Sequence, residues 1–184
     1  MKKKIIFILI IIIFFGIVIW RIIYVKKFTT ELKSDEHLLK VEEGEKVVIL
    51  YFPDNNYETL IKKKHKIISD GNIFNDIKQI FDLLKLSKVN FNLDSLIPEE
   101  TIILSSFITN NTLYLNISKD ILGTRGATEE YLLLQEIVLT FIDSFPSYIK
   151  RVQLLVDNKI VKTLGLTEET GHIDISKTFS KDCF

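Results

Sequence analysis

QEIVLTFIDSFPSYIKRVQLLVDNKIVKTLG, Gln135 to Gly165, decides the reading of the chain. Its first part continues an apolar run from Tyr131 that is greasy on more than one face, so it reads as a buried helix from about Thr128 to Ser144. Phe145-Pro146 ends that helix, because the residue before a proline avoids helical geometry. Two short β-rich pieces follow, Arg151 to Val156 and Lys159 to Leu164, turned at Asp157-Asn158-Lys159 and expected to form a hairpin. Leu134, Ile137, Val138 and Phe141 are the expected core of the helix.

Working upstream, Thr101 to Thr109 and Thr112 to Ile117 flank Asn110-Asn111, a pair that tolerates positive φ and suits a tight hairpin turn. Leu113, Leu115 and Ile117 alternate with Tyr114 and Asn116, as a half-buried strand requires. Asn72 is an N-cap for a helix to about Leu86, with Ile73, Phe74, Ile77, Ile80, Phe81 and Leu84 on one stripe. Before it, Lys46 to Pro53 reads as a strand. Tyr57 to Ile68 reads as a second one, whose Lys62, Lys63, Lys64 and Lys66 mark an exposed edge. The order β-β-α-β-β-α-β-β predicts an α+β fold: a mixed or mostly antiparallel sheet with both helices on one face.

The N-terminus carries a different signal. Lys2 to Lys4 precede an unbroken apolar run from Ile5 to Trp20. Sixteen helical residues span about 24 Å, and continuing past a snorkelling Arg21 to Val25 brings the span to about 31 Å. No small-residue cleavage pattern follows, so residues 1–25 are expected to be one uncleaved transmembrane anchor. The three lysines favour a cytoplasmic N-terminus and an extracytoplasmic remainder. Residues 26–45 read as a juxtamembrane linker, 46–179 as the folded domain and 180–184 as a tail.

Charge and motif content narrow the function classes. Acids and bases balance at 24 each, but four bases lie in the first 21 residues and every acid lies later, leaving 20 bases against 24 acids. That acidic remainder argues against a nucleic-acid binder. The single cysteine, Cys183, can make neither an internal disulfide nor a structural zinc site. His37, His65 and His172 have no metal-ligand spacing, which argues against a metal-dependent wall hydrolase. No cofactor motif is present. Gly123-Thr124-Arg125-Gly126, just before the second helix, is the nearest thing to an anion-cradling loop, and a flexible connection explains it as well. Lys62, Lys63, Lys64 and Lys66 are a candidate surface for anionic headgroups or wall polymers, though lysines also blunt edges routinely. Glu129 and Glu130 are expected simply to complement the helix dipole.

The opening stretch resembles the C-terminal half of a GerMN domain, the sporulation and spore germination module. The matching words are Gln135 to Thr140, Phe145-Pro146, Val152 to Lys159, Thr163-Leu164-Gly165 and, after a short insertion over 166–170, Gly171 to Ser176. Leu50 to Asp54, Ile97 to Thr101 and Leu115 to Ser118 agree upstream. The resemblance covers about residues 46–179. It departs at the longer connection from Leu86 to Leu96 and in carrying the domain once. It implies an envelope module that assembles with other proteins rather than catalysing. The expected function is therefore a non-enzymatic scaffold, anchored through residues 5–25, that docks on another envelope protein or on copies of itself. The rival expectation is a ligand-binding module for a peptidoglycan fragment or small anion.

Overall fold

The computed structural model describes residues 41–166 and 171–184. The expected anchor and most of its linker, residues 1–40, lie outside the described residues, as do residues 167–170 of the expected insertion. Among the described residues no helix is long and apolar enough to cross a membrane.

Strand β1 (Gly44–Pro53) pairs antiparallel with β2 (Leu60–Ser69). Asp54 organises the turn between them. Its carboxylate accepts from the Glu58 and Thr59 amides at 2.8 and 3.3 Å, and Tyr57 takes a positive φ of 55°. Val48, Leu50 and Phe52 alternate into the core. Helix α1 (Ile73–Lys85) starts where Asn72 accepts from the Phe74 amide at 2.9 Å, and of the predicted stripe it buries Ile73, Ile77, Ile80, Phe81 and Leu84 but leaves Phe74 half-buried. The connection expected after Leu86 holds a short helix α2 (Ser87–Phe91), ended by Asn92 in the left-handed region.

Strands β3 (Ile103–Thr109) and β4 (Thr112–Ile117) form the expected hairpin, with Asn110 and Asn111 at φ 49° and 57°. Helix α3 (Ala127–Ser144) crosses over to β5 (Arg151–Val156), which lies parallel to β4. Leu113, Leu115 and Ile117 register with Val152, Leu154 and Val156, and all six are buried. Leu134, Ile137, Val138 and Phe141 of α3 are fully buried, as expected.

Two expectations are corrected. The single sheet is two: β1–β2, and β3–β4–β5. The outer edge of β1 meets a helix instead of another strand. The Ser144 hydroxyl accepts from the Ile49 amide at 3.0 Å and donates to the Ile49 carbonyl at 2.9 Å, while Thr140 Oγ1 accepts from the Tyr51 amide at 3.1 Å. Thr140 and Ser144, four apart on α3, thus satisfy backbone groups that a neighbouring strand would otherwise take. The second correction is the final hairpin. Asp157 and Asn158 do turn, at φ 47° and 65°, and Lys159 bridges back to Val156, but residues 160–164 form no strand. Their groups are committed elsewhere: the Leu164 amide goes to Glu130 and the Lys162 carbonyl to Ile175. The free side of β5 is taken by Phe179, through two backbone bonds of 2.8 Å with Val152.

Candidate functional site

The Gly123–Gly126 loop lies between a 3-10 turn, Lys119–Ile121, and α3. Two of its four amides are engaged within the fold: Gly123 donates to the Leu164 carbonyl at 3.0 Å and Gly126 to Glu129 Oε2 at 3.4 Å. Arg125 turns inward and donates from Nη1 to the Ile121 carbonyl at 2.9 Å. Burial lowers its guanidinium from the ordinary value, against the pull of Glu129 and Glu130. The Arg125 carbonyl lies 3.1 Å from His172 Nε2, and Thr124 is exposed.

The β2 lysines divide between the two faces of their hairpin. Lys62, Lys64 and Lys66 alternate along one face and Lys63 lies on the other, all four exposed. Lys66 pairs with Glu45 at 2.7 Å. Lys62 joins a cluster around Asp143, donating to Oδ2 at 3.0 Å; the Tyr51 hydroxyl donates to the same oxygen at 2.7 Å, and Lys181 pairs with Oδ1. Burial alone would raise the Asp143 carboxyl, but the bonds from Lys181, Tyr51 and Lys62 outweigh it and hold it below its usual range. This cluster fastens the C-terminal tail, whose Phe184 ring also rests 5.6 Å from Tyr131.

Three buried carboxylates act as structural ties that the sequence reading does not anticipate. Asp76 accepts from the Ser69 hydroxyl at 2.9 Å and pairs with Lys46 at 3.5 Å. Glu130 is buried at the start of α3. It accepts from Thr163 Oγ1, the Leu164 amide and the His172 amide at 3.0, 3.1 and 2.6 Å, so it does far more than complement a dipole. Glu136, fully buried, accepts from Ser95 Oγ at 2.6 Å and the Leu96 amide at 3.1 Å. Burial pushes its carboxyl up to about 8 against those two bonds. A signal for Glu136 is present in the sequence: an acid inside a helix that is apolar nearly all round has no wet face to occupy and must be bonded.

A shallow groove of about 410 Å³ runs along α1 and α2, lined by Asn75, Lys78, Gln79, Asp82, Leu86 and Asn90 among others. Among the described residues no group of three His, Cys, Asp or Glu side chains is placed to hold a metal ion. What the arrangement does with its buried acids is hold loops.

Comparison with known proteins accords with this architecture. The family model described as Germane, sporulation and spore germination, matches residues 49–162. The first GerMN domain of the sporulation protein GerM from Bacillus subtilis is similar at 17% identity and a TM-score of 0.59, covering 74% of this chain and 98% of that one. The tandem GerMN domains of the same protein give 18% and 0.53, covering 74% of this chain and 45% of the other, so this chain spans less than half of the tandem. A Clostridium perfringens protein described as a candidate lipoprotein gives 26% and 0.47, covering 77% and 93%. The Bacillus likenesses concern the fold alone. No curated protein sequence matches.

Proposed function

The chain belongs to the Germane family of sporulation and spore germination domains, and on that footing we propose that it is a membrane-anchored, non-enzymatic assembly protein presenting this domain outside the cytoplasm. The observation that carries the reading is how the buried acids are spent. Glu130 and Glu136 each hold backbone and hydroxyl donors of a distant loop, while Asp76 ties the Ser69 hydroxyl and Lys46 to α1. Their bonds fix shape, and a fixed shape is what a docking module offers its partners. The hydrophobic segment Ile5–Trp20, behind three lysines, supports anchoring with the domain on the outer side.

The test is crosslinking of the tagged full-length protein in its native membrane, followed by identification of what it captures. A defined envelope partner, or discrete multiples of the chain itself, is the expected result. Recovery of the protein alone, under conditions that capture a known envelope complex, counts against assembly.

A further inference from the structure

Among the described residues the two sheets have four edges, and three of them are closed or defended. Ser144 and Thr140 fill the edge of β1. Phe179 and Lys159 close β5. The edge of β2 carries Lys62, Lys63, Lys64 and Lys66, the residue type that discourages strand addition. Among the described residues the fourth edge, β3, has none of these protections: α1 approaches the strand but makes no backbone bond to it. It pairs with β4 on one side only, and among the described residues no backbone bond leaves its other side. No residue of β3 is buried. Ile102, Leu104 and Phe107 are 51%, 43% and 49% exposed, and Phe107 stacks on Tyr114 at 4.6 Å. From Thr101 to Ser118 the chain carries neither a charged residue nor a histidine.

We propose that the β3 edge docks the same edge of a second copy of this chain, antiparallel across a two-fold axis, joining two three-stranded sheets into one. The charge pattern selects this occupant. An uncharged strand offers nothing to a charged partner, and a partner's ions would be left unpaired against it. Among the described strands, β3 is the one that is both exposed and uncharged, so it is complementary to itself. Pairing β3 of one copy with β2 of the next would be open-ended, and the β2 lysines disfavour it; β3 on β3 closes at two. One seven-residue edge buries less than the roughly 800 Å² per partner of standard stable interfaces, so the contact is weak between free copies. Anchoring in one membrane supplies the missing effective concentration, and in that respect the inference rests on the assembly reading above.

The test uses the full chain in lipid vesicles with Cys183→Ser. Single cysteines are placed in turn at every β3 position from Ile103 to Thr109 except Phe107, because pairing across a two-fold axis brings a residue close to its own counterpart only near that axis; Lys64→Cys on β2 is the control, and disulfide-linked dimer is read on a denaturing gel after mild oxidation. At least one β3 position is expected to crosslink well above the control, since a disulfide needs Cα atoms about 4.4–6.8 Å apart. Adding Phe107→Lys to the crosslinking variant is expected to cut the yield about tenfold, as like charges oppose pairing across strands. Dimer through β3 no stronger than through Lys64→Cys overturns the proposal. So does a yield that Phe107→Lys leaves unchanged while circular dichroism shows the fold intact. If native-membrane crosslinking captures an envelope partner while the β3 cysteines stay monomeric, the pairing fails and the assembly reading stands. If the β3 cysteines crosslink but the domain proves cytoplasmic, the pairing stands and that reading fails.

Discussion

Glu136 makes the stability of the fold depend on pH in a direction opposite to acid denaturation. Its carboxyl rises from an ordinary value of 4.5 to about 8 in the fold, because burial disfavours the charged form more than Ser95 and Leu96 favour it. The native state therefore holds a proton that the unfolded chain has released, and stability falls as pH rises through that window. Full stability from this group is present below pH 4.5 and is lost by the time pH passes about 8. Each tenfold change in an acid's dissociation constant between unfolded and folded chain is worth about 1.4 kcal/mol, so the loss is bounded at about 5 kcal/mol, large against a typical total of about 5–15 kcal/mol. The perturbation is Glu136→Gln, which keeps the shape and an acceptor for the loop donors. The assay is urea unfolding of parent and variant from pH 5 to 9. Parent stability minus variant stability is expected to decline steadily across that range. A difference that stays flat refutes the reasoning: the two hydrogen bonds would then suffice to keep Glu136 ionised in the fold.

Other substitutions test other links. Phe141→Ala removes a fully buried ring from α3 and is expected to cost about 3–5 kcal/mol in chemical denaturation. Ser144→Ala leaves both the Ile49 amide and carbonyl without their partner, at about 1–3 kcal/mol, with faster hydrogen exchange at the Ile49 amide as the specific readout. Asn111→Ala keeps a β-carbon at φ 57° but removes the amide that eases this left-handed backbone and donates to the Tyr148 carbonyl at 3.3 Å, so it is expected to cost about 1–2 kcal/mol, whereas Asn111→Gly, free of the β-carbon, costs less in the same denaturation assay. At the acid end, the Asp143 carboxyl is held low, so its contribution is lost as pH falls below 3.8; Asp143→Asn is expected to flatten part of that acid limb.

Local patterns in the sequence identify most elements. The stripe from Ile73 to Leu84 defines α1, Asn110-Asn111 the β3–β4 turn, and Phe145-Pro146 the end of α3. Each is a signal that neighbouring residues complete among themselves. The division into two sheets is not visible there, because it is decided by Thr140 and Ser144 reaching residues about ninety positions earlier. The missing last strand has the same cause: residues after Lys159 look β-prone, but their backbone answers to Glu130 and Ile175. Glu130 itself is easily misread, because a first-turn acid already has a sufficient local explanation in the helix dipole. Of the candidate site residues, the lysine edge is legible as an edge. The inward turn of Arg125 is not, since nothing in Gly-Thr-Arg-Gly says which carbonyl will be near.

The helix that closes β1 also sets a timetable for biosynthesis. The hydroxyls that complete the Ile49 and Tyr51 backbone belong to residues 95 and 89 positions later in the chain. The hairpin is complete only at Ser69, and at roughly 5–20 residues per second a ribosome takes on the order of 4–15 s to add the 75 residues from there to Ser144 (144 − 69). Through that interval a nascent β1–β2 hairpin presents the Val47 to Phe52 edge with no lysine along it, while its other edge already has four. The newborn chain is thus asymmetric in its exposure to aggregation, and the side a holding chaperone must shield is β1.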